Sequence, residues 1–217
     1  MSGTRLIKSG GGNLTLSNTG NSYTGGTTIN AGSLSISADA NLGLAPASAV
    51  ADHLSLNGGA LNAAANSTVT LATNRGITLP SVGVTGSLSA DTGAVLNYAG
   101  IIAGSGNLRK DGPGVVRLSG DNSAFPGSIS VASGVLQVQR PVVLGNTTGR
   151  TLVAPGAELQ LGYEAISPNP WSTLPETLGT LSAAGSSTDP ARITFFQDTG
   201  FSAGTELQSS LLFERLS

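Results

Sequence analysis

Residues 6–36 and 108–138 align without a gap when the chain is slid along itself by 102 positions. Identical pairs are Leu6/Leu108, Lys8/Lys110, Gly10/Gly112, Gly12/Gly114, Leu16/Leu118, Ser17/Ser119, Gly25/Gly127, Gly32/Gly134 and Leu34/Leu136. Leu14/Val116, Tyr23/Phe125, Ile29/Val131 and Ile36/Val138 are conservative. Lys8 and Lys110, the only two lysines of the chain, share one repeat position. Such a self-match constrains the fold before any element is assigned, because repeated units mark architectures built by stacking.

A finer period runs inside the repeat. Short alternating runs end at Leu16, Ile36, Leu56, Leu79, Tyr98, Leu118, Val138, Leu161 and Leu181, with steps of 20, 20, 23, 19, 20, 20, 23 and 20. Runs such as LTL, LSI, LSL, VRL and LQV each place two side chains on one face of a strand. So small a unit has too little apolar surface to fold alone. Wound into a coil, it is covered by the coils above and below. The expected class is all-β, a parallel β-helix (solenoid) of about ten coils and, at about 4.8 Å per strand, roughly 45 Å long. Leu34 and Ile36 then face the interior, and Gly25, Gly26 and Gly32 sit at corners, where φ > 0 carries no Cβ penalty. A β-sandwich or propeller also uses regularly spaced short strands. A propeller blade, however, wants about 40–45 residues and an aromatic signature per repeat, and aromatics make up 4% of this chain.

Composition agrees. Hydrophobic residues at 39% and charged residues at 10% do not describe a solvated disordered chain. A net charge of −2 and scattered arginines provide no basic stripe for nucleic acid. No apolar run approaches the length of a membrane helix. With no cysteine there are no disulfides or thiolate metal sites.

The segment LIKSGGGNLTLSNTGNSYTGGTTINAGSLSI, above all Tyr23-Thr24-Gly25-Gly26-Thr27-Thr28-Ile29, resembles the autotransporter-associated β-strand repeat, also called the passenger-associated transport repeat. The second copy is degenerate, with FPGSISV for YTGGTTI, and the likeness runs from residue 5 to about 161. The resemblance implies a right-handed parallel β-helix belonging to a secreted bacterial passenger domain. Such a domain is carried across the outer membrane by a C-terminal β-barrel of the same polypeptide and left at the Gram-negative cell surface. The repeat is tied to transport and folding, not to catalysis. Neither a signal peptide nor a barrel is present in the sequence, which reads as an internal fragment. The lack of cysteine then fits a chain that threads a pore unfolded. Two units are expected: residues 1–162, the coils with both repeats, and 163–217, continuing or terminal coils with a proline-rich loop.

No residue reads as catalytic, cofactor-binding or metal-binding. His53, the lone histidine, reads as a solvent-facing turn residue. SGDNS (119–123) falls on the repeat's own turn, so Ser119 is a corner and not a nucleophile. Asp52, Asp91, Asp111 and Asp121 lie near expected turns, dispersed along the chain. Asn13, Asn66 and Asn146 head Asn-x-Ser/Thr triplets of the kind composition alone produces. Six of nine aromatics (Tyr163, Trp171, Phe195, Phe196, Phe201 and Phe213) lie in the last third, beside SPNPWSTLPETL. They read as fillers of wider terminal coils, or as a surface for a glycan or host protein. ITFF and LLFERL read as edge segments at the end of the coil. The expected function is a non-catalytic structural stalk without cofactor or nucleic-acid partner. An adhesin-type binding module is the alternative, and a polysaccharide-acting β-helix enzyme ranks third.

Overall fold

The computed structural model describes residues 3–139, 141–146, 148–162, 180–183 and 190–195. The first two turns hold β1 (Leu6–Lys8) and β2 (Asn13–Leu16), then β3 (Thr27–Ile29) and β4 (Ser33–Ile36). Three-stranded turns follow: β5 (Val50–Leu56), β6 (Ala60–Ala63) and β7 (Thr68–Leu71), then β8 (Arg75–Leu79), β9 (Thr85–Ala90) and β10 (Val95–Tyr98). The next is β11 (Ile102–Gly104), β12 (Asn107–Asp111) and β13 (Val115–Leu118). Among the described residues the remaining turns each show two strands: β14 (Ile129–Val131) with β15 (Val135–Val138), β16 (Arg150–Val153) with β17 (Glu158–Leu161), and β18 (Thr180–Ala183) with β19 (Arg192–Phe195). Short 3-10 turns span Asp39–Leu42 and Pro141–Leu144.

These strands make three sheets: A (β1-β3-β5-β8-β11), B (β2-β4-β6-β9-β12-β14-β16-β18) and C (β19-β17-β15-β13-β10-β7). Neighbours in each run parallel, so the chain is a parallel β-solenoid. Seven steps separate the eight strands of sheet B, giving about seven turns and, at ~4.8 Å per step, a rod of roughly 34 Å.

The expected ten coils are too many because the repeat step is not constant. Leu14, Leu34, Leu61, Leu88, Lys110, Val131, Val153 and Ala183 lie one above another in sheet B, separated by 20, 27, 27, 22, 21, 22 and 30 residues. A fixed step near 20 therefore drifts from sheet to sheet. Leu16 and Ile36 belong to sheet B, Leu56 and Leu79 to A, Tyr98 through Leu161 to C, and Leu181 to B again.

Inside, the stacking is as the alternation requires. Val69, Leu96, Val116, Leu136 and Leu159 form one column of sheet C; Leu71, Tyr98, Leu118, Val138 and Leu161 form the next. All ten are at most 2% exposed. Leu34 and Ile36 are fully buried, as expected. Burying one such side chain contributes about 1.5–3 kcal/mol, so each thin turn is held by its neighbours.

The two repeat copies occupy different sides of the coil. Copy one uses sheets A and B (β1 to β4), copy two sheets B and C (β12 to β15). Burial differs too: β9 and β10 lie beneath copy two, whereas no described residue lies beneath copy one. Leu14 is consequently 37% exposed and its equivalent Val116 only 1%.

The proline-rich stretch 167–178, Tyr163, Trp171, Phe196, Phe201, Phe213 and LLFERL lie outside the described residues. Strands β18 and β19 extend sheets B and C.

Candidate functional site

The repeat lysines point inward, an unusual place for an ammonium. Lys110 stands in the buried column between Leu88 and Val131 and is 1% exposed. Its Nζ donates to the carbonyls of Asp111 (2.9 Å), Gly112 (2.7 Å) and Ser133 (2.8 Å). Lys8 repeats this with Ser9 (3.3 Å), Gly10 (2.7 Å) and Ala31 (3.0 Å). Three donors meet three acceptors, and the third acceptor belongs to the next turn, so each lysine ties two turns together. The adjoining Gly134 must be glycine. Its φ is +64°, and a Cβ would strike the Gly112 carbonyl and reach 2.8 Å from the Lys110 Nζ. Burial pulls the Lys110 ammonium down to about 8, with the Asp111 carboxylate opposing.

A second polar cluster lies where the Asp39–Leu42 turn meets sheets A and C. Arg75 is 1% exposed and forks onto Asp39, Nε to Oδ1 at 2.8 Å and Nη2 to Oδ2 at 3.1 Å. Its remaining donors reach the carbonyls of Leu42 (3.1 Å) and Gly43 (2.6 Å). His53 belongs here, which corrects the solvent-facing turn expected for it: it sits in β5 and is 4% exposed. Its Nδ1 faces Arg75 Nη1 at 3.4 Å, and Nε2 has no hydrogen-bond partner. Burial, then the Arg75 charge, hold the imidazole below its ordinary value. An imidazole whose Nδ1 faces a guanidinium, with no hydroxyl or thiol bonded to it, has the arrangement of a packed side chain. Tyr23 closes the cluster, its hydroxyl 3.1 Å from Thr27 Oγ1 and its pKa raised by burial.

The carboxylates expected near turns each have their own partner, and Asp52 lies within β5 instead of at a turn. Asp52 pairs with Arg5 at 3.2 Å, Asp91 accepts from Asn62 at 3.0 Å, and Asp111 pairs with Arg109 at 2.8 Å. Asp121 Oδ1 accepts the Ser123 N–H at 3.0 Å, an Asx turn inside SGDNS. Among the described residues no group of three His, Cys, Asp or Glu is placed to hold a metal ion, and no helix is long and apolar enough to cross a membrane. Asn66, at φ +58°, is the one described non-glycine residue in the left-handed region.

Sequence reasoning did not single out the outer face of sheet C. Each of its strands has a polar residue third: Thr70, Asn97, Arg117, Gln137, Gln160 and Thr194 stand in register across six strands. Asn97 donates to Thr70 at 3.0 Å, Arg117 Nε donates to Gln137, and Gln137 donates to Gln160 at 2.6 Å. Thr194 and Gln160 both donate to Glu158. A shallow groove of about 270 Å³ runs beside this ladder, lined by Asn97, Arg117, Ser119, Gln137 and Gln139 among others. The signal was visible in TVTL, VLNY, VVRL, VLQV, ELQL and RITF, apolar at positions two and four and polar at three.

Comparison with known proteins agrees with this architecture. Residues 6–36 and 108–138 match the family described as Passenger-associated-transport-repeat. The chain is 39% identical over 132 residues to the Adhesin BmaC autotransporter of Brucella suis biovar 1 (strain 1330). That alignment covers 61% of this chain and 4% of that protein, so the chain spans a small part of its relative's length. No solved structure matches. Residues 6–36 and 108–138 are thus similar to passenger-associated-transport repeats and lie on a parallel β-solenoid, and part of the chain is similar to a stretch of an autotransporter adhesin.

Proposed function

We propose that this chain is a non-catalytic stalk segment, a rigid rod that carries a passenger away from the outer membrane and helps it cross. The unbroken register of buried columns through sheets B and C carries this reading. Each turn folds onto the one before, so stacking outside the cell opposes backsliding through the pore formed by the polypeptide's own C-terminal barrel. The test places Leu34→Asp or Leu136→Asp in the parent protein and measures surface display, with Ile7→Asp, at an exposed position, as control. Both core variants lower display and the control does not; unchanged display in the core variants sinks the proposal.

A second reading is favoured by the sheet C face. A flat array of amides, hydroxyls and one guanidinium beside a groove suits a hydroxyl-rich partner such as a glycan, and the relative is named an adhesin. A glycan array with the purified chain and its Asn97→Ala/Gln137→Ala variant tests it. Signal lost in the variant supports an adhesive face, and no signal from either removes it.

A further inference from the structure

The repeat copies treat two different sheets in the same way. In copy one, side C carries no strand. Loop 17–26 and the Asp39–Leu42 turn stand where sheet C runs higher up. That 3-10 turn lies on the open edge of β7, the end strand of sheet C. Asp39 Oδ1 accepts the Ala72 N–H at 3.0 Å, and from below Asn21 Nδ2 donates to the Asn41 carbonyl at 2.8 Å. In copy two, the side without strands is side A. There the loop lies on the open edge of β11, the end strand of sheet A. The Ile102 N–H donates to Asn122 Oδ1 at 2.8 Å, and Asn122 Nδ2 donates to the Val143 carbonyl at 3.0 Å. Asn122 is 2% exposed. Asn41 and Val143 are equivalent under the 102-residue offset, so the loop grips its 3-10 turn at the same point in both copies.

An open strand edge offers unpaired N–H and C=O groups to any passing chain, and proteins cover such edges. We propose that the passenger-associated-transport repeat is a sheet terminator. Its four strands carry two sheets through, while its loop and the 3-10 turn that directly follows the matched residues cap the third sheet where that sheet begins or ends. The device works on either side of the coil, because the repeat fixes the order of its own strands and not the sheets they join. The only described turns in which all three sheets run together, from β5 to β13, start after copy one and end on the first two strands of copy two. Spacing along the chain thus decides where each lateral face is a strand surface and where it is loop.

Amide hydrogen exchange on the purified chain tests this. Asn122→Ala removes the acceptor for Ile102 and speeds exchange of that amide by about tenfold over the amides of β12 and β13, the scale of one lost hydrogen bond. Asn122→Asp keeps an oxygen for Ile102 but loses the donor to Val143. Ile102 stays protected and residues 142–146 exchange faster. Unchanged exchange at Ile102 in Asn122→Ala, or equal acceleration throughout sheets B and C, overturns the proposal. So does loss of Ile102 protection in Asn122→Asp with native circular dichroism.

Discussion

At the residue scale the sharpest contrast is between the lysines, legible from sequence, and His53, which was not. Two lysines at one repeat position marked the repeat, and the structure adds what they do: a caged ammonium replaces a core side chain. Lys110→Met leaves three carbonyls without their donor, and a net cost of about 2 kcal/mol is expected in urea unfolding. Lys8→Met costs less, because that end of the rod has no described turn beneath it. His53 reads as a solvent-facing turn residue, and strict alternation in VADHLSL would also turn it outward from Leu54 and Leu56. The register of β5 against β8 shifts between Val50 and Leu54, and burial no longer alternates there. A pH effect follows. With its folded value held below 6.5, His53 stays neutral in the rod while the unfolded chain binds a proton. Its contribution is whole above pH 6.5 and declines as pH falls through that value towards the lower folded one. Stability measured at pH 7.5 and 5.5 should drop on acidification by more in the native chain than in His53→Gln.

Among elements, strands and corners could be read from sequence, whereas the phase of the coil could not. Alternating runs and glycines define each strand and bend locally, so β2, β4, β13 and β15 fall where LTL, LSI, VRL and LQV stand. Counting turns needs the corner lengths, which vary with what fills them: a tight bend, a loop or a 3-10 turn. For the same reason a 102-residue offset gave no hint that copy two sits one side further round. The Asp39–Leu42 turn holds its place through a long-range partner, Arg75, which one-dimensional spacing cannot assign. Breaking that buried fork strands a guanidinium, so Asp39→Ala should destabilise by about 3 kcal/mol. Adding Arg75→Met removes the orphaned charge and should restore part of the loss, which a double-mutant cycle by thermal or urea unfolding would measure.

For the whole molecule, a solenoid and a pore make opposite demands on a covalent cross-link. Ser130 and Leu152 are direct neighbours on adjacent strands of sheet B, 22 residues apart in sequence. Parallel neighbours lie about 4.8 Å apart, within the reach of a disulfide. In the purified, oxidised chain, Ser130→Cys/Leu152→Cys should raise stability by about 3 kcal/mol through loop closure in the unfolded state. If the chain is exported through a C-terminal barrel as proposed, the same bond formed in an oxidising periplasm closes a loop that the unfolded chain would have to drag through, so display of the parent protein should fall and recover with reductant. The chain has no cysteine, and the proposed passage offers one physical reason for that. A cross-linked passenger displayed at the native level, with the bond verified by thiol labelling, would separate the rod's architecture from its passage. The missing cysteines would then carry no information about export.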